Sequence, residues 1–137
     1  MSLRLAQWPE AAAGTRPTLL SPASLIKALD SQNELEWQLL DNQETLELTG
    51  GEGSGYMQVH RWREIRERVP TARLLTALTQ GGYELQFFWG ELRAYRPKSS
   101  EPELSISAFD STSYDIEGSA EMLARVEALF AWAQFPD

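Results

Sequence analysis

The stretch LELTGGEGSGYMQVHRW, residues 46–62, comes nearest in this sequence to a catalytic signature. It places four glycines within positions 50–55 and then carries the only histidine of the chain, His60. A glycine-rich loop can bind phosphate through its backbone N–H groups, and a histidine titrates near neutral pH. These residue types would therefore suit a nucleotide site beside a general base.

The spacing of these residues argues against that chemistry. A dinucleotide-binding loop needs glycines at its first, third and sixth positions and must open a helix. Counted from Gly51, the third position is Gly53 but the sixth is Tyr56, and the chain has no Gly-Lys-Ser/Thr of a P-loop. The residues that follow, YMQVHR, alternate apolar and polar side chains as a strand does. We therefore expect residues 50–55 to be a flexible hairpin turn and His60 to be a surface or hydrogen-bonded structural residue.

Metal and cofactor chemistry also lacks its usual residues. The chain has no cysteine and one histidine, which disfavours a transition-metal site. Asp110 and Asp115, in DSTSYD, offer oxygen ligands for calcium or magnesium, but the acid spacing of an EF-hand loop is missing. The sequence predicts no metal, no cofactor and no catalytic residue.

Charge is distributed unevenly along the chain. The net charge is -8, from 20 acidic and 12 basic residues, which disfavours a nucleic-acid partner. Seven acids and no base lie between residues 30 and 52, and six acids and no base between 101 and 121, whereas residues 61–73 hold five arginines. One interpretation is an acidic surface that steers a basic partner; the other is solvated faces with internal charge pairing.

The first half of the chain is predicted to hold a helix and three strands. Residues 1–20 show no sustained period, which predicts a loosely ordered arm. Ser21-Pro22 predicts a helix start, with the serine as N-cap and the proline at the first helical position. The segments ELEWQLL, ETLEL and YMQVHR then predict a three-stranded antiparallel meander whose last strand is residues 56–61.

The second half repeats this order. RWREIRERVPTARLLTALTQGG has helical period broken at Pro70, and YELQFFW, LRAYR and ELSISAF predict a second meander. Ser119 is a suitable N-cap for a last helix. We predict an α+β fold in which residues 21–137 form one domain. A mainly antiparallel sheet of five or six strands would carry the N- and C-terminal helices on one face, in the order helix, meander, helix, meander, helix.

Aromatic residues supply the candidate anchors for a partner. Within YELQFFW, alternation places Phe87 and Trp89 on the inner face of the sheet and Phe88 on the outer face, and Trp62 begins the arginine-rich helix. An aromatic side chain on an outer surface can form the desolvated centre of an interface, with charged residues around it. The predicted partner-binding residues are Glu34, Glu36, Phe88, Trp62, Asp110 and Asp115.

Two stretches carry a family resemblance. ELQFFWGELRAY is an aromatic strand pair, and LSISAFDSTSYDIEG adds an acidic, serine-rich turn. Together they resemble the small acidic immunity proteins that neutralise polymorphic toxins in bacteria. That resemblance implies a non-catalytic domain that occludes a cationic toxin. The order of elements is also similar to that of type III secretion chaperones, which would imply an effector as partner. A small enzyme using His60 with nearby carboxylates is the third hypothesis.

The expected location follows from the apolar segments. Gln7, Pro9 and Glu10 interrupt the start before it reaches the length of a signal peptide, and no run approaches about 20 apolar residues. We expect a soluble, cytoplasmic protein without a membrane partner.

Overall fold

The computed structural model describes residues 2–10, 16–49, 54–80 and 84–134. The chain is α+β with a mainly antiparallel sheet, as the sequence predicts, although the sheet has seven strands. In chain order the elements are β1 (Ser2–Ala6), α1 (Pro22–Leu29), β2 (Glu36–Leu40), β3 (Glu47–Thr49), α2 (Ser54–Ile65), β4 (Val69–Pro70), α3 (Thr71–Leu78), β5 (Gln86–Tyr95), β6 (Pro102–Phe109), β7 (Ser113–Gly118), α4 (Ala120–Phe130) and a short 3₁₀ helix (Ala131–Ala133).

The sheet is organised around the long strand β5. Its strand order is β1-β7-β6-β5-β2-β4, and β3 also pairs with β5. On the side away from β6, β5 pairs with β2 along residues 91–95 and with β3 along residues 86–89. All of these pairings are antiparallel. Two short strands thus share one edge of β5.

The two faces of the sheet differ in polarity because side chains alternate along each strand. On the inner face, Leu5, Tyr114, Ala108 and Gly90 are successive cross-strand neighbours, and all four are buried. On the opposite face, which we call the outer face, the strands present mostly polar side chains with partial exposure. The outer-face residues used below are Arg4, Glu36, Glu47, Trp89, Glu91, Arg93, Tyr95, Glu103, Phe109, Asp115 and Glu117.

The helices contribute to the same core as the inner face. The side-chain oxygens of Ser21 and Ser119 cap α1 and α4 as predicted, accepting the backbone N–H groups of Ser24 and Met122. Helix α4 contacts β1, β6 and β7, while α2 and α3 contact β2. Apolar residues of all four helices and of the strands form one buried cluster.

The predicted arm at residues 1–20 contains a strand. Residues 2–6 form β1, which pairs with β7 from Ser2–Glu117 to Ala6–Ser113. Leu5 is buried in the core and Gln7 behind it is also buried, so alternation over these few residues is enough to add an edge strand. Residues 11–15 lie outside the described part of the chain.

The predicted third strand at residues 56–61 is wrong, because this segment belongs to α2. Gly55, Val59 and Trp62 are buried at helical spacing, whereas Met57, which the strand prediction paired with Val59, is 69% exposed. A Cβ on Gly55 would lie 2.2 Å from the carbonyl oxygen of Ala77, so a glycine there lets α2 pack closely on α3. Of the predicted turn at residues 50–55, residues 50–53 lie outside the described residues, and the prediction is wrong for Ser54 and Gly55, which belong to α2.

Alternation along β5 is interrupted at Phe88. Leu48 pairs with Phe87 but its neighbour Glu47 pairs with Trp89, so Phe88 is an extra residue of a β-bulge. Phe87 is therefore buried in the core while Trp89, predicted on the same face, lies on the outer face. Among the residues described, no helix is both long and apolar enough to cross a lipid bilayer.

Candidate functional site

Three of the six predicted partner-binding residues lie on or beside the outer face of the sheet. Glu36 is on β2 and Asp115 is on β7, and the register places both side chains on the outer face. Two strands separate β7 from β2, which is about 14 Å at the usual strand spacing. Glu36 also lies four residues along β2 from Leu40, the residue in register with Asp115, so the two acids are farther apart than that. Asp110 is exposed in the turn between β6 and β7. Each of the two acidic segments thus contributes residues to the same face of the sheet, but these residues do not contact each other.

Glu34 does not share that surface. It is exposed just before β2 and lines a groove of about 490 Å³ between the end of α1 and α4. In this groove Arg125 of α4 donates a hydrogen bond of 2.9 Å to the carbonyl oxygen of Leu29. Glu34 and Glu36, close in sequence, therefore face different surroundings.

Trp62 and Phe88 are less accessible than the sequence suggests. Trp62 of α2 is 3% exposed and faces the core, and the guanidinium carbon of Arg73 lies 5.3 Å from its ring centre. Its indole is not available to a partner, because the helical stripe it belongs to is the buried stripe of α2. Phe88 is half-buried at the bulge of β5.

Most of the carboxylates on the outer face form ion pairs with arginines of the same chain. Asp115 accepts a hydrogen bond of 2.7 Å from Arg4, which raises the pKa of this guanidinium. Four outer-face carboxylates are ion-paired in this way. The pairs are Arg4–Asp115, Arg68–Glu36, Arg93–Glu91 and Arg96–Glu103.

Two outer-face carboxylates differ from these four. Glu47 and Glu117 are exposed, and neither forms an ion pair with another described residue. Asp110, at the nearby turn, is also without an ion pair to a described residue. The negative charge available to a partner is therefore concentrated on a few positions.

An aromatic pair lies beside Glu47. Trp89 on β5 and Phe109 on β6 are direct cross-strand neighbours, with ring centres 6.2 Å apart in an edge-to-face arrangement. Both side chains are half-buried, and Glu47 is the neighbour of Trp89 on the other side. Sequence alternation missed this site because the bulge at Phe88 reverses the direction of Trp89. The run of three aromatic residues before Gly90 was the available signal.

His60 lies away from the outer face, on α2. Its ring centre is 4.6 Å from that of Tyr56, and its Nε2 has no hydrogen-bond partner among the described residues. Burial lowers the pKa of His60, and the charge of Arg63 acts in the same direction. His60, Tyr56 and Met57 help to line a shallow groove of about 760 Å³ on α2.

Neither a search for metal-binding clusters among the described residues nor comparison with known proteins identifies another functional site. Within the described ranges, no group of three or more histidine, aspartate or glutamate side chains is arranged to hold a metal ion. Comparison with protein-family models, with curated proteins and with solved structures finds no match. The outer face, with its aromatic pair and unpaired acids, is the candidate functional site.

Proposed function

We propose that the chain is a non-catalytic protein-binding domain of the immunity-protein class. Its outer face would cover and occlude a cationic protein, such as the substrate-binding cleft of a toxin that acts on nucleic acid. The N- and C-terminal helices pack on the inner side in this proposal, which leaves the outer face for the partner.

The observation that carries the proposal is the partly exposed aromatic pair of Trp89 and Phe109 in the mostly polar outer face. Aromatic residues are enriched at the centres of protein interfaces, where burying them excludes water. Near this pair, Glu91 is ion-paired with Arg93 and Asp115 with Arg4 on the outer face of the sheet. A surface ordered in advance loses less conformational entropy when a partner binds.

Charge supports a cationic partner. The chain carries a net charge of -8, and Glu47, Glu117 and Asp110 lie on or beside the outer face without ion pairs to described residues. Carboxylates in such positions raise the association rate of a basic protein more than they raise its final affinity. The paired acids Glu36 and Asp115 would contribute less, because Arg68 and Arg4 already neutralise them.

The test is the association rate of a purified partner recovered from the source cells. We expect Glu47→Lys with Asp110→Lys to slow association about tenfold or more at low ionic strength and to weaken its salt dependence. The matched control is Glu121→Lys with Glu127→Lys on α4, which changes net charge equally on exposed helical positions.

The comparison of the two double variants decides the result. Slowing of the outer-face variant alone supports the proposal. Equal slowing of both variants would mean that net charge acts without a defined surface, and unchanged rates in both would mean that the outer face is not involved. Either of these two results contradicts the proposed function.

A further inference from the structure

One arginine of the chain already occupies an aromatic–carboxylate pair on the outer face. Glu36 and Tyr95 are direct cross-strand neighbours on β2 and β5. The guanidinium carbon of Arg68 lies 4.1 Å from the ring centre of Tyr95, and its Nη2 lies 3.0 Å from Oε1 of Glu36. The cation thus stacks on the ring and pairs with the acid of the adjacent strand.

The carbonyl oxygens of Arg96 and Ser99 complete this arrangement. The Nη atoms of Arg68 donate hydrogen bonds of 3.0 Å to Arg96 and 2.7 Å to Ser99. A guanidinium suits such a site because it is planar, has several donors and carries a permanent charge. On this sheet, an aromatic ring and the carboxylate of the adjacent strand therefore bind a guanidinium group.

The same pair of groups recurs at the other end of β5. Trp89 and Glu47 are direct cross-strand neighbours on β5 and β3, as Tyr95 and Glu36 are on β5 and β2. Glu47 is exposed and Trp89 is half-buried beside Phe109. In the described part of the chain, no cation lies over the Trp89 ring or pairs with Glu47.

We propose that Trp89 and Glu47 form a receptor site for an arginine side chain of the protein partner. The guanidinium would stack on the indole and pair with the Glu47 carboxylate, while Asp110 in the nearby turn adds negative potential. This inference rests on the proposed function, since it names the group by which that partner is recognised. A second copy of the chain is a poor occupant, because a net charge of -8 on each copy opposes self-association.

The probe is N-acetyl-arginine amide, which presents one guanidinium to the intact protein. Binding is followed by the indole N–H signals in nitrogen-edited NMR, with Trp89 identified by Trp89→Phe. We expect a saturable shift of the Trp89 signal with a dissociation constant in the millimolar range, and none with the nearly isosteric, neutral citrulline analogue. The Trp132 signal is the internal control, because this side chain is 51% exposed and should not shift.

Two variants test the carboxylate. Glu47→Gln keeps the shape of an exposed side chain and should weaken binding roughly threefold, as expected for a solvent-exposed ion pair. Glu121→Gln on α4 should leave binding unchanged. An unshifted Trp89 signal, an equal shift of Trp132, or no effect of Glu47→Gln would each overturn the inference.

Failure of this inference can be distinguished from failure of the proposed function. If the arginine probe does not bind at Trp89 but the outer-face charge reversals still slow the partner selectively, the surface is correct and the guanidinium site is wrong. If both tests fail, the outer face is not a binding surface.

Discussion

Asp30 links three elements of the fold, and its removal should destabilise the protein strongly. It caps the end of α1 and is 7% exposed. Its two carboxylate oxygens accept the backbone N–H groups of Glu34 and Leu35, each at 2.9 Å, and the hydroxyl of Thr71 at the start of α3. The same hydroxyl oxygen accepts the indole N–H of Trp37 at 2.7 Å. One carboxylate therefore joins the end of α1 to the residues before β2 and to the start of α3.

The expected cost of Asp30→Ala follows from these bonds. Two of them join buried groups to a carboxylate, at about 1.5–3 kcal/mol each, and relief of the buried charge offsets part of this sum. We expect a loss of about 3 kcal/mol in the free energy of unfolding. Asp30→Asn should also destabilise, because its amide N–H₂ would face either the N–H of Glu34 or the donor groups of Leu35 and Thr71.

Urea denaturation measures this loss, with Asp41→Ala as the matched control. Asp41 also accepts a backbone N–H, that of Leu46 at 2.8 Å, but its side chain is 46% exposed. That variant should lose about 1 kcal/mol with an unchanged dependence on urea concentration. The reasoning is refuted if Asp30→Ala costs no more than Asp41→Ala.

Of four further predictions, one concerns α4, two concern His60 and one concerns the sheet. Phe130→Ala should cost about 3–5 kcal/mol because the ring is buried in the core, whereas Leu129→Ala, at an exposed position, should cost less than about 1 kcal/mol; thermal melting compares them. His60→Gln should leave partner binding intact, and loss of binding at an unchanged melting temperature would contradict the proposal that the partner binds the outer face. Burial lowers the pKa of His60 in the folded state, so the unfolded chain binds the proton more tightly and wild-type stability falls as pH drops through about 6.5. His60→Gln should lose less stability over that range, and equal losses would refute the assignment of this pH dependence to His60. Gly90→Ala should cost about 2 kcal/mol or more, because Gly90 has a φ of +135° and a Cβ would lie 2.9 Å from Cγ of Leu46; a melting temperature equal to wild type would contradict this.

Local signals in the sequence were sufficient where a short-range rule determines the structure. Ser21 and Ser119 cap their helices because the hydroxyl reaches a backbone N–H three residues on. Pro70 separates α2 from α3 as predicted, with a two-residue strand between them. Trp37 is fully buried on the alternating inner side of β2. These features need no knowledge of distant contacts.

Features that depend on distant partners could not be read from the sequence. Residues 56–61 alternate over a short stretch, but the helix that forms there buries Val59 and Trp62 in the core and packs Gly55 against Ala77. The bulge at Phe88 arises from the register between β3 and β5, so alternation alone places Trp89 on the wrong face. The ion pair of Arg4 with Asp115 joins residues 111 positions apart. The candidate site was missed for the same reason.

The most direct test of the central claim is the dissociation constant of the purified partner for two matched tryptophan variants. Trp89→Thr removes the indole from the outer face and keeps a side chain suited to a strand, whereas Trp132→Thr removes a more exposed indole from the short 3₁₀ helix after α4. With both variants folded, we predict about 30-fold weaker binding for Trp89→Thr, a loss typical of an interface hot spot, and no change for Trp132→Thr. Unchanged binding by Trp89→Thr, or a loss confined to Trp132→Thr, would show that the partner does not bind the outer face of the sheet.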